Sequence, residues 1–190
     1  MRRSIILTAL LVFSVVATAS AQFVKPAPAQ DVLNAALKEA TSTRKHVYLI
    51  FHASWCGWCT RLDKMLADPE IKKIIEDNYV VTHLDILESQ QGKKDSLENP
   101  GGIDIATKLG GEKSGLPFFA FLDGKGKKLA DSNVMEKGQN MGYPAAKEEI
   151  AAFGKLLQKT APRISRKELD QVLAYLEMNS PQLHPQPAKH

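Results

Sequence analysis

Cysteine is nearly missing from this chain: there are two among 190 residues, Cys56 and Cys59. A disulfide framework therefore cannot hold the fold together, and a packed core must do so. Structural zinc is also poorly served. Zinc takes about four ligands, and the sequence has neither a second CxxC nor a nearby His pair. Charge of one sign is lacking too. The 25 Lys and Arg stand against 21 Asp and Glu, a formal +4, with the bases scattered among the acids. The one dense basic cluster, Lys125, Lys127 and Lys128, falls in a turn. No basic face interleaved with aromatics is present, so no nucleic-acid partner is expected. No apolar run reaches the ~20 residues of a comfortable membrane span. Internal repeats and signs of a second domain are missing as well.

The longest apolar run, Ile5 to Val16, follows Arg2 and Arg3 and precedes Ala19-Ser20-Ala21. That order is a secretory signal with a small-x-small cleavage site, so residues 1–21 are expected to be removed. The mature protein is then periplasmic or secreted. No cysteine follows the cleavage site, which excludes a lipid anchor on a new N-terminal cysteine. What remains is long enough for one domain with a proper core.

Residues 22–30 are marked by proline and read as an extended leader. Asp31 is placed to cap a helix running to about Thr43, with Val32, Leu33, Ala36, Leu37 and Ala40 as its stripe. His46 to His52 reads as a buried strand. A helix follows from the cysteines and stops before Asp68-Pro69, where Asp68 caps a short helix, Glu70 to Asp77. Tyr79 to Ile86 is the next strand, parallel to the first through a right-handed crossover. Leu87 to Asn99 is a polar loop. A short helix over 103–109 ends at Gly110-Gly111, and Phe118–Leu122 pairs with Lys127–Asp131 around Asp123-Gly124-Lys125-Gly126 as a hairpin. After an irregular stretch, 132–143, Pro144 opens a helix with Ile150, Phe153, Leu156 and Leu157 inward. Ser165-Arg166-Lys167-Glu168 is a capping box for a last helix carrying Leu169, Val172, Leu173 and Leu176. The domain is expected over 31–161, a helical extension over 162–180 and a mobile tail over 181–190.

Chemistry centres on Trp55-Cys56-Gly57-Trp58-Cys59, between the first strand and the helix after it. Two cysteines three apart in a helix's first turn put both sulfurs on one face, close enough for a disulfide. The leading sulfur then sits at the positive end of the helix dipole, which favours its thiolate. A disulfide closing two residues stabilises a fold little, so a redox-active dithiol is the favoured reading.

The Trp-Cys-Gly-Trp-Cys motif after a buried strand, with Gly115-Leu116-Pro117 before a strand and hairpin, resembles the thioredoxin-fold family. The stretch from Phe51 to Asp85, with Asp68-Pro69-Glu70, is most similar to exported bacterial thioredoxin-like proteins with a WCxWC motif. The resemblance covers about Asp31 to Leu157. It implies an α/β three-layer sandwich, a central mixed β-sheet flanked by helices, with an extra C-terminal helix foreign to the basic fold. It also implies a thiol-disulfide oxidoreductase. Cys56 matches the nucleophile and Cys59 the resolving thiol. Pro117 matches a cis-proline facing the pair, and the backbone of Leu116 would pair with a bound peptide. Trp55, as an exposed shelf, joins Gly57 and Trp58 as substrate contacts.

Three residues depart from that pattern. Ile50 stands where thioredoxins carry a buried Asp beneath the resolving cysteine, His83 replaces its lysine partner, and Lys64 replaces the proline that kinks the active-site helix. The Cys59 proton must then move through water or another group, for which His52 is the candidate because its ordinary pKa suits the task. Trp58 also lacks the charge of the histidine that strongly oxidising relatives carry before the second cysteine, which favours reduction or exchange. No cofactor and no metal are expected. The partners implied are cysteine-containing protein substrates and a membrane-bound electron donor. Two other classes remain open: a client-binding module without turnover, and a Cu(I) metallochaperone using the same cysteines.

Overall fold

Along β1 (His46–His52), Val47, Leu49 and Phe51 alternate with Tyr48 and Ile50, and both sets are fully buried. A strand apolar on both faces needs a layer of structure on each side. The computed structural model describes residues 25–91 and 97–185, so the expected signal segment, 1–21, lies outside the described residues. β1 lies inside a mixed four-stranded sheet of order β2-β1-β3-β4. It pairs in parallel with β2 (Tyr79–Asp85), His46 opposite Tyr79 and His52 opposite Asp85. It pairs antiparallel with β3 (Phe118–Leu122), which turns back through a hairpin into β4 (Lys128–Asp131).

The two faces carry separate cores. Val47, Leu49, Phe51, Phe118 and Ala120 pack under α1 (Ala29–Thr43) and α4 (Gly102–Lys108). Tyr48, Ile50, Phe119 and Phe121 pack under α2 (Gly57–Ala67), α3 (Pro69–Asn78), α5 (Lys147–Thr160) and α6 (Arg166–Asn179). The result is the expected three-layer sandwich with an added C-terminal helix. α6 belongs to the core: Leu169, Val172 and Leu176 are buried, and Leu173 lies against Gly154, where a Cβ would come within 3.2 Å of it.

Several element boundaries differ from the sequence reading. Asp31 does not cap α1. The helix starts three residues earlier, with Pro28 at the cap, and Asp31 sits in the first turn, where its charge complements the dipole. Pro144 does not open α5 either. The Glu149 carboxylate accepts the N–H groups of Ala145 and Ala146, 2.9 Å each, and this moves the start to Lys147. The chain after Pro181 is tied to the fold as far as His184, since Leu183 packs on the core and donates its N–H to Ser180 Oγ and His184 donates its N–H to Ser180 O. Residues 186–190 of the expected tail lie outside the described residues. Asp68 caps α3 as expected, accepting from Glu70 and Ile71 N–H, and Ser165 and Glu168 form their capping box.

Candidate active site

β1 delivers the chain into a turn in which Cys56 N–H donates to Ala53 O at 3.0 Å. Cys56 thereby becomes the N-cap of α2, its sulfur accepting Cys59 N–H at 3.1 Å. An unpaired helix N–H aimed at a sulfur stabilises negative charge there. The two cysteines are joined as a disulfide, with 5.2 Å between their Cα atoms. Cys56 is 5% exposed and Cys59 1%, so the leading cysteine is the shallower residue. Both pack with Ala53 in a small apolar cluster that Trp55 and Leu116 cover.

Leu116 arrives from the loop before β3, and the Leu116–Pro117 peptide is cis. Asn140 Nδ2 holds that loop by donating to Gly115 O and Pro117 O, at 2.6 and 3.0 Å. Among the described residues neither main-chain group of Leu116 has a hydrogen-bond partner, which leaves an open edge beside the disulfide. Gly57 is exposed at the helix start, and a Cβ there would meet nothing within 4 Å.

The structure differs from the expectation at Trp55 and leaves Trp58 open. Trp55 is no exposed shelf. It is half-buried, and its Nε1–H donates to Leu87 O at 2.9 Å. Trp58 is the open one, 44% exposed, stacked on Tyr143 at 6.2 Å with the Arg61 guanidinium 5.7 Å above its ring. From Trp58 a groove of about 570 Å³ runs past Leu116 and Asn140 to Tyr143 and Gln182.

His52 stands at the end of β1, but not as a free imidazole with an ordinary pKa. Its Nε2 lies 3.0 Å from Asp85 and its Nδ1 3.7 Å from Asp63, and its ring meets that of His83 at a tilt of 51°, with 4.8 Å between centroids. Burial alone would lower its pKa. The two carboxylates outweigh burial and push it up to about 9. Burial would likewise raise Asp63, yet His52 and His83, the latter at 3.2 Å, hold its carboxyl well below the usual range. The two carboxylates thus favour the charged form of His52, which lacks the ordinary pKa for which the sequence singled it out. Ile50 is fully buried opposite His83, so no acid lies at its position. Lys64 points to solvent from an α2 that runs unbroken from Gly57 to Ala67.

Sequence reasoning missed Asp63, Asp85, Glu88, Asn140 and Tyr143. Asp63 follows Cys59 by four residues, one turn along the same helix, and Asp85 faces His52 in parallel register. Those two had a signal. Glu88, Asn140 and Tyr143 come from stretches without periodicity and had none. Among the described residues, no group of three or more His, Cys, Asp and Glu is arranged to hold a metal ion.

A family model described as Thioredoxin-like matches residues 28–124, just over half of the chain. No curated protein matches it. Similar solved structures include a disulphide isomerase from Xylella fastidiosa Temecula1, at 20% identity and a TM-score of 0.48, covering 83% of this chain and 98% of that one. A DsbH oxidoreductase gives 20% and 0.45, covering 82% and 95%. The C-terminal domain of DsbD from Neisseria meningitidis, in its oxidised form, gives 18% and 0.38, covering 56% and 84%.

Proposed function

Because the chain belongs to the thioredoxin-like family, we propose that it is an exported thiol-disulfide oxidoreductase that reduces or exchanges disulfides in other proteins. The observation that carries this reading is the Cys56–Cys59 disulfide at the start of α2, with Leu116 of the cis-proline loop packed against it. In the reduced protein, the Cys56 thiolate attacks one sulfur of a client disulfide. A Cys56–client bond forms and the other client sulfur leaves, taking a proton from water. Cys59 then loses its proton, attacks Cys56 and releases the second client thiol, which restores the bonded pair. The client has gained two electrons and two protons.

The open main chain of Leu116 would hold the client as an added strand, and Trp58 would cover its flank in the groove. We assign His52 to holding α2 against β1 and β2. Both its ring nitrogens face carboxylates, so the Cys59 proton passes to water or another group. Trp58 puts no charge beside Cys59, which favours reduction over dedicated oxidation. A reductant outside the cytoplasm must be recharged, and a membrane-bound dithiol donor is the partner this implies. Export follows from residues 1–21. Among the described residues no helix is long and apolar enough to cross a membrane.

Insulin reduction driven by dithiothreitol tests the activity. The parent should precipitate the insulin B chain well ahead of the dithiothreitol control, and Cys56→Ser should match the control. Equal rates for the two proteins would refute the reading.

A further inference from the structure

Glu88 lies 1% exposed in a short 3-10 turn, Glu88–Gln91, directly after the β2 strand and its exit at Ile86 and Leu87. The catalytic cycle above makes no use of it. Its two carboxylate oxygens both point at Ser54: Oε1 accepts the Ser54 N–H at 2.6 Å and Oε2 the Ser54 hydroxyl at 2.7 Å. The preceding residue, Leu87, has φ +59°, a left-handed conformation that a branched apolar residue rarely adopts. From there its carbonyl takes the Trp55 indole N–H. Adjacent residues of one loop thus grip Ser54 and Trp55, the two residues before the nucleophile.

We propose that Glu88 is a positioning residue of the redox pair: its buried carboxylate fixes the Ser54–Cys56 turn and, as a negative charge beside Cys56, makes the dithiol a stronger reductant. The inference rests on the dithiol reading above and extends it to direction. Two oxygens that only accept, at short distances, are the pattern of an ionised carboxylate. The turn bond from Cys56 N–H to Ala53 O puts the carboxylate within about 8 Å of the Cys56 amide, by ordinary backbone dimensions. With Glu88 at 1% and Cys56 at 5% exposure, little solvent screens the two. At about 10 Å in a protein-like dielectric, one charge alters a proton equilibrium on the order of tenfold. It disfavours the Cys56 thiolate, and a less stable thiolate leaves the disulfide relatively favoured. Trp55 and Ser54 keep the sulfur at the helix end, so reactivity is not lost with the shift in potential.

The test is equilibration with glutathione at pH 8, read by mass after acid quench and alkylation. There the Cys56–Cys59 bond breaks as two glutathione thiols give up two electrons and two protons and join as glutathione disulfide. Glu88→Gln keeps an acceptor for the Ser54 N–H and a polar partner for its hydroxyl while removing the charge. It should shift the equilibrium about fivefold toward the dithiol, a rise of about 20 mV. Ser54→Ala, at an exposed position, keeps the charge and strips away a hydroxyl dipole that partly offsets its field, so it should shift about twofold the other way. Opposite signs are the signature, since a merely structural clamp would move both variants in one direction together with their melting temperatures. Equal potentials in all three proteins, or shifts of one sign, overturn the proposal. Should Glu88→Gln fail to fold, an unchanged or raised potential in Ser54→Ala overturns it alone. A parent that exchanges with glutathione but leaves insulin untouched would instead remove the reductase reading and spare the Glu88 assignment.

Discussion

Raising the pH through the titration of His52 should loosen the base of the active-site helix by an amount that can be worked out. Asp63 of α2 and Asp85 of β2 hold the imidazolium between them and lift its pKa from 6.5 to about 9. The folded value lies above the unfolded one, so this stabilisation is complete below about pH 6.5 and is lost as pH rises through about 9. A difference of about 2.5 pKa units at 1.36 kcal/mol each sets a ceiling of about 3 kcal/mol. The Asp63 and Asp85 side chains are 43% and 41% exposed, and solvent screening brings the expectation to about 1–2 kcal/mol. In a domain of this size that is about 2–8 °C of melting temperature. The assay is thermal unfolding by circular dichroism at pH 6.5, 8 and 10 in low salt, on the oxidised parent and on His52→Asn. Lysines and tyrosines titrate alike in both, so the difference between the two slopes isolates His52. The parent should lose about 2–8 °C more than the variant between pH 6.5 and 10. Parallel slopes would show that the ion pairs contribute nothing, and the assignment of His52 to holding α2 would fall.

Asn140→Ala frees the carbonyls on both sides of the cis peptide, and at about 1 kcal/mol per lost bond it should raise KM for a protein disulfide several-fold while a small aromatic disulfide reacts as before; equal effects on both substrates would place Asn140 elsewhere in the cycle. Leu176→Ala empties a fully buried site under α6 and should cost about 2–5 kcal/mol, read as a fall in the urea midpoint at constant slope. A loss under 1 kcal/mol would mean that α6 is only loosely docked. Intact mass of exported protein should show a mature chain beginning at Gln22, and a chain retaining residues 1–21 in the membrane fraction would contradict it.

Most of the sandwich was legible because its strands are short and continuously apolar. β1 came out at His46–His52 as read, and β3 at Phe118–Leu122, since nothing but a doubly covered strand buries Tyr48 and Ile50 on one side and Leu49 and Phe51 on the other. The cysteine pair was legible from spacing, and the cis peptide only from resemblance. What escaped was set by side chains meeting across the fold. Glu149 relocates the start of α5 by capping Ala145 and Ala146, which no local pattern announces. The two tryptophans are chemically alike, and only the Leu87 carbonyl and the Tyr143 ring decide which is anchored and which lies open. His52 was picked out for an ordinary pKa that two carboxylates, distant in sequence, remove.

The central claim is that Cys56 attacks and Cys59 resolves, and trapping of mixed disulfides tests it most directly. Both single serine variants, expressed with residues 1–21 intact, would be alkylated in the cell, separated without reductant and compared with reduced samples. Cys59→Ser leaves the attacking thiol at the head of α2 and removes the step that releases the client, so high-mass adducts should accumulate and collapse on reduction. Cys56→Ser keeps only the deeper cysteine, inside the first turn and without the N-cap position, and should trap few. Equal trapping by the two variants would contradict the assigned roles, and no trapping by either would contradict the proposed exchange itself.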